Sequence, residues 1–185
     1  MEELEDILYK ACLTLDTSKI SAVLKEGANI NQTDECGEPL LCDIILELSL
    51  RKESNRYQVV QFLLDQGADP NLLDEDKCGP LTTAMLQMDA EMIELLCRHG
   101  AKPNIVAGFT DDETLYDWAE FDYQYTVYDF NLPEEPNEDD EKSEASWLAF
   151  LKHLAEKYGK EEPKHLFILR KYGARSWKEL HGETH

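Results

Sequence analysis

A five-residue tract, Gly-Ala-x-x-Asn, occurs three times in the chain and constrains its fold more than any other feature. The copies cover residues 27–31, 67–71 and 100–104. Each follows a short apolar run, and a glycine just after such a run is the usual left-handed residue that ends a helix. The interval from Gly67 to Gly100 is slightly shorter than the interval from Gly27 to Gly67. A helix–turn pattern at a nearly constant period predicts a solenoid, in which each repeat packs on its neighbours.

A second block precedes the helix and tract of each repeat. Pro80 begins such a block, at a helix start where its missing N–H costs nothing. With the tract that follows, the block resembles the ankyrin repeat, whose pattern reads D-x-x-G-x-T-P-L-H-x-A, then a second helix, then L-L-x-x-G-A-D-x-N. Residues 73–104 match this pattern in length without a gap. Gly79 and Thr82 replace the family's threonine and histidine, so we expect a more loosely braced turn.

The resemblance implies an all-α ankyrin-repeat solenoid of about four helix–turn–helix repeats, forming a single domain over residues 1–185. The expected repeats are 2–31 as an N-terminal cap, 32–71, 72–104, and 108–176 as a split C-terminal repeat with an acidic insert at 120–160. The last repeat is called split because its Gly173-Ala174 echo comes much more than one period after Gly100 and lacks the asparagine. The resemblance also implies non-catalytic protein binding, because ankyrin proteins usually contact a partner with their turn tips and first helices.

The negative charge of the chain is concentrated in one segment. The formal net charge is -21, and residues 111–144 carry 14 acidic residues and 1 lysine. Nucleic acids and anionic membrane surfaces attract basic proteins, so the charge argues against both as partners. We expect another protein as the partner, and a basic one, because acids steer a cationic surface and raise its association rate.

Residues 116–130 interleave aromatic residues with acids, and aromatic residues are favoured anchors at interfaces. Two interpretations stay open. The segment is a docking patch, or it is core, with Phe121 at helical spacing and with Tyr123 and Tyr125 alternating as in a short strand. Trp118 is assigned to the core, and the acidic stretch 131–144 is expected to be a solvated loop.

The candidate contact residues fall into two groups, one at the turn tips and one in the aromatic segment. Acids are also common in such turns because they cap helices, so a structural role stays open for the first group. The candidates are Asp34, Glu35, Glu75, Asp76, Asp111 and Asp112 in the turns, and Glu120, Tyr123, Tyr125 and Tyr128 in the segment.

The sequence contains none of the common catalytic patterns: no nucleophile elbow, phosphate loop, H-E-x-x-H or glycine fingerprint. We therefore expect no enzymatic activity, no cofactor and no metal. The five cysteines form no C-x-x-C pair and fit a reducing cytoplasm. Two roles compete for this monomeric binding module: a general adaptor, and an inhibitor that neutralises a basic toxin such as a nuclease. The second follows from a similarity to bacterial immunity proteins.

Overall fold

The structure, a computed structural model, describes residues 3–105 and 112–182. Over these ranges the chain is helical and contains no strand beyond isolated bridge residues, so the predicted all-α fold is confirmed. None of the described helices is long and apolar enough to cross a membrane. The helices are α1 (Leu4–Leu13), α2 (Thr17–Glu26), α3 (Leu40–Leu50), α4 (Arg56–Asp65), α5 (Pro80–Leu86), α6 (Ala90–Arg98), α7 (Leu115–Tyr128), α8 (Glu144–Tyr158), α9 (Lys164–Lys171) and α10 (Trp177–His181).

The chain forms two compact units. Unit 1 comprises Met1–Gln87 and Glu91–Lys102, and unit 2 comprises Met88–Ala90 and Pro103–His185. In unit 1, α1 packs on α2 and α3, and α3 packs on α4 and α5. In unit 2, α7 packs on α9, although α8 lies between them in the chain. The packing of each helix pair of unit 1 on the next pair along the chain is typical of a solenoid.

The glycines of the tracts end helices in the way that the sequence predicts. The backbone angle φ is +108° at Gly27, directly after α2, and +91° at Gly100, shortly after α6. A side chain at such an angle would strain the backbone, so glycine is the residue that turns the chain here. The alanine that follows each of these glycines is buried.

The asparagine of each tract joins its helix pair to the next. Asn71 donates from Nδ2 to the Gly100 carbonyl at 3.0 Å, and its Oδ1 accepts from the Lys102 N–H at 2.8 Å. Asn31 makes the corresponding two bonds to the second tract. These bonds satisfy polar backbone groups that the turns would otherwise leave unpaired.

Unit 2 contains the same pair of bonds over a much longer stretch of chain. Asn104 donates to the Gly173 carbonyl at 2.9 Å and accepts from the Arg175 N–H at 2.8 Å, across 69 and 71 residues of sequence. The pattern ends here, because Trp177 stands where the next asparagine would be. Gly173 therefore does in unit 2 what Gly67 and Gly100 do in unit 1.

We expect Asn104→Ala to lower the free energy of unfolding by about 1–2 kcal/mol, because it removes two hydrogen bonds to the backbone around Gly173. Urea denaturation followed by circular dichroism measures the change. The control is Asn55→Ala, whose side chain accepts a bond from the exposed Ser54 hydroxyl and which should change stability by less than about 0.5 kcal/mol. Equal losses in the two variants would contradict the role of Asn104.

Candidate functional site

The turn before α3 is organised by Asp34. Its Oδ1 accepts from the N–H groups of Cys36 and Glu38, both at 2.8 Å. Asp74 holds the following turn in a similar way, accepting from the Cys78 N–H at 2.8 Å. The predicted contact residue Asp34 therefore braces the turn, as short acidic side chains commonly do.

The neighbouring turn acids point outward. Glu35, Glu75 and Asp76 are exposed, and so is Asp112 in unit 2. A Cβ atom placed on Gly37 would lie 3.6 Å from Cγ of Glu75, so the two successive turns of unit 1 are close neighbours. The remaining turn candidate, Asp111, lies outside the described residues.

An acidic cleft of about 430 Å³ in unit 1 is lined by α1, by the turn at Asp34 and by the start of α3. Burial, followed by repulsion from neighbouring carboxylates, raises the pKa of Glu38 and of Asp43. The described residues that line the cleft include no lysine or arginine. A cationic group from outside would therefore relieve this repulsion. The acidic lining residues are Glu3, Glu5, Asp6, Asp34, Glu35, Glu38 and Asp43.

In unit 2, most of the aromatic segment forms one helix. α7 begins at a capping box formed by Thr114 and Asp117 and covers the segment as far as Tyr128. The interpretation of the alternating tyrosines as a short strand is therefore wrong. The buried side chains of α7 include Tyr116, Ala119 and Tyr123, which are spaced at i, i+3 and i+7 on one helical face.

Two of the three candidate tyrosines are core residues. Tyr123 is fully buried, and its hydroxyl donates to the Glu161 backbone carbonyl at 2.6 Å. Its ring meets that of Tyr128 edge to face, with centroids 6.0 Å apart, and Tyr128 is only 7% exposed. Neither side chain can reach a partner while α7 is folded. Their interpretation as contact residues is corrected accordingly: both pack the interior of unit 2.

Glu120, another candidate on α7, connects that helix to α8. Its Oε1 accepts from Trp147 Nε1 at 2.6 Å and from Gln124 Nε2 at 3.2 Å. Burial, with the nearby Glu144 carboxylate, raises the pKa of Glu120 to about 7. The described contacts thus give Glu120 a positioning role within unit 2.

Three exposed aromatic side chains form a cluster in unit 2, which we call the aromatic patch: Phe121, Tyr125 and Phe130. They are 54%, 55% and 50% exposed. The Phe130 ring centroid lies 4.9 Å from that of Phe121 and 5.4 Å from that of Tyr125. Only Tyr125 was among the candidates. The i, i+4 spacing of Phe121 and Tyr125 would have placed both on one helical face.

The cysteines and acids do not assemble a metal site in the described ranges. Burial raises the pKa of the Cys12 and Cys42 thiols to about 12, so they behave as small hydrophobic side chains.

Comparisons with known proteins identify the repeat. A family model described as ankyrin repeat matches residues 49–75, which include α4 and the whole second tract. Ankyrin repeat protein L92 of Acanthamoeba polyphaga mimivirus is 38% identical over 79 residues, covering 43% of this chain and 18% of that protein. Ankyrin repeat protein L371 of the same virus is 31% identical over 101 residues, covering 52% and 12%. The chain spans less than a fifth of the length of either relative.

Proposed function

The chain is an ankyrin-repeat protein, and from this premise we propose that it is a non-catalytic module that binds a basic partner protein. Ankyrin repeats are in general protein–protein interaction modules. The observation that carries the basic partner is the acidic cleft of unit 1, together with the exposed tip residues Glu35, Glu75 and Asp76. We also propose Asp111 and Asp112 of unit 2 as contact residues in their own right, on the basis of the sequence pattern.

The proposed mechanism is stoichiometric binding without turnover. Lysine or arginine side chains of the partner enter the acidic cleft and offset the repulsion among its carboxylates, which adds to the effect of burial in raising the pKa of Glu38 and Asp43. The exposed carboxylates around the cleft accelerate association by steering the cationic surface towards it. Exposed charges are screened by salt, so binding should weaken as ionic strength rises.

A second candidate is an inhibitor that neutralises a basic toxin such as a nuclease. The charge of residues 111–144, with 14 acids and 1 lysine, favours this candidate because an acidic surface can occupy a phosphate-binding cleft. We further propose that the protein is monomeric and cytoplasmic. We also propose that residues 1–185 form a single domain and that residues 120–160 split its last repeat.

Affinity capture with mass spectrometry tests the proposal at low and at physiological salt. We expect basic proteins in the captured set, with recovery falling as salt rises. Glu35→Gln combined with Glu75→Gln should weaken the interaction about tenfold, which corresponds to about 1.4 kcal/mol. The matched control is Glu26→Gln combined with Glu91→Gln, which removes the same charge from exposed sites outside the cleft and the turns. Capture of only neutral or acidic proteins, or binding insensitive to salt, would reject the proposal.

A further inference from the structure

We propose that the aromatic patch of Phe121, Tyr125 and Phe130 is the docking surface for a lysine- or arginine-rich segment of the partner protein. This inference rests on the proposed function and adds to it the contact surface in unit 2 and the chemistry of the bound segment. Four observations support it: the exposure of the rings, the backbone that holds them, the surrounding charge, and rings over which the described residues place no lysine or arginine.

The patch is assembled and exposed at the same time. Each ring is about half accessible, yet the Phe130 ring contacts both of the others, with centroids 4.9 and 5.4 Å away. Aromatic side chains give large contact area with few rotatable bonds, which is why they are frequent anchors in interfaces. Rings that already touch one another lose little further freedom when a partner binds.

The backbone that places Phe130 in the patch is unusual. Asp129 and Phe130 are consecutive non-glycine residues with positive φ, +48° and +56°. The Asn131 N–H donates to the Tyr128 carbonyl at 2.8 Å, and the Asn131 side chain donates to the Asp129 carbonyl at 2.7 Å. This turn folds Phe130 back onto α7 although half of its side chain remains in solvent. A strained conformation that produces so little burial suggests a role in binding.

The charge around the patch indicates the sign of its partner. Asp122 lies on α7 between Phe121 and Tyr125 in sequence, and Asp129 directly precedes Phe130. Residues 103–141 contain no lysine or arginine, although Lys160 lines the same cleft as Asp129. A purely apolar segment would leave these carboxylates poorly solvated and unpaired, and an anionic lipid surface would be repelled. A cationic segment pairs with them while its aliphatic stems cover the rings.

The rings of the patch differ from five other aromatic rings of the protein in the cations that lie over them. Several other aromatic rings have a lysine or arginine of the chain over the ring face. Among the described residues, no cation lies over Phe121, Tyr125 or Phe130. These faces can therefore receive a lysine or arginine of the partner as a cation–π contact. The rings with internal cations are Tyr57, Tyr116, Tyr158, Phe167 and Tyr172.

The test uses the full chain and two synthetic peptides, one that repeats Arg-Gly-Leu and one that repeats Glu-Gly-Leu, with calorimetry at low salt. We expect the arginine peptide alone to bind. Phe121→Ser combined with Tyr125→Ser should weaken it at least about tenfold. The matched control is Phe167→Ser, because this ring is 38% exposed but already has Lys152 over its face. The Phe167→Ser variant should bind the arginine peptide as tightly as the wild type does.

A second variant keeps the rings and removes charge. Asp122→Asn combined with Asp129→Asn preserves side-chain size, and asparagine tolerates the left-handed backbone at 129. We expect it to lose most of the preference for the arginine peptide. Urea denaturation of each variant establishes that it is folded.

The outcomes separate this inference from the broader function. If Glu35→Gln with Glu75→Gln abolishes peptide binding while the patch variants bind normally, the patch is overturned and the acidic-cleft proposal stands. If the glutamate peptide binds as well as the arginine peptide, or if the wild type binds neither, the patch is also overturned. In that case the capture of basic proteins by the whole chain decides the broader function independently. If the protein binds neutral phosphatidylcholine vesicles and not the arginine peptide, the patch is a lipid-binding surface and the proposal of a peptide-docking surface is overturned.

Discussion

Tyr123→Ala should lower the free energy of unfolding by about 3–5 kcal/mol, the usual cost of deleting a large buried aromatic side chain. Tyr123 is fully buried, and its ring lies 6.0 Å from that of Tyr128 and 5.7 Å from that of His165. The substitution leaves a cavity on the buried face of α7. It also removes the hydroxyl that donates to the Glu161 carbonyl at 2.6 Å, in the segment leading to α9.

Two further variants show how much of this loss of stability comes from the hydroxyl group and how much depends on burial of the side chain. Tyr123→Phe keeps the ring and removes the hydroxyl, so it should cost about 1–2 kcal/mol. Tyr125→Ala removes a nearby tyrosine on the same helix that is 55% exposed, and it should change stability by less than about 1 kcal/mol. Equilibrium urea denaturation followed by circular dichroism measures all three. A Tyr125→Ala loss as large as that of Tyr123→Ala would contradict the assignment of the two residues to opposite faces of α7.

The repeated tract was readable from the sequence because its effects are local and recur. Glycine at Gly27 meets a backbone angle that other residues rarely adopt. Asn71 bonds to the glycine of the next tract, so the spacing of the two carries information about packing. The same reasoning explains why Gly173 could be singled out although it lies far beyond Gly100 in the sequence.

The aromatic segment was harder to read because most of its residues suit either a core or a surface. Tyr123 and Tyr125 alternate as they would in a strand, whereas the helical period appears only when alanine at 119 is counted as a buried position. The capping box at Thr114 and Asp117 was a usable signal for the helix start. The position of Phe130 depends on two left-handed residues, and no sequence pattern signals such a pair when neither is glycine.

The acidic cleft was only partly foreseeable. Asp34 and Glu35 were identified as turn acids, but the cleft also takes carboxylates from α1 and α3. Those residues converge because α1 packs on α3, a contact between helices that are separated by α2 in the chain. The number of acids along the sequence therefore could not show which of them share one surface.

Two groups in unit 2 should change the stability of the protein in opposite directions as the pH changes. Burial, with the nearby Glu144 carboxylate, raises the pKa of Glu120 from 4.5 to about 7. The folded protein thus takes up this proton more readily than the unfolded chain. The stability that Glu120 contributes is fully present below about pH 4.5 and is lost as the pH rises through about 7. Burial lowers the pKa of His165 from 6.5 to about 4. Its contribution is present above about pH 6.5 and is lost as the pH falls through about 4.

We therefore expect the contributions of the two groups to stability to offset each other between about pH 4.5 and 6.5. Single variants separate the two contributions. Glu120→Gln keeps an acceptor for the Trp147 N–H and should be more stable than the wild type by about 2–3 kcal/mol at pH 8. This difference should vanish near pH 4, where Glu120 is protonated. As the pH falls from 7 to 4, the free energy of unfolding of His165→Gln should rise by about 3 kcal/mol relative to that of the wild type, because glutamine binds no proton in either state. Urea denaturation across this range measures both differences, and titrating groups that do not interact with the substituted residue cancel in each comparison. A stability difference that does not depend on pH would show that the group concerned titrates alike in the folded and unfolded states.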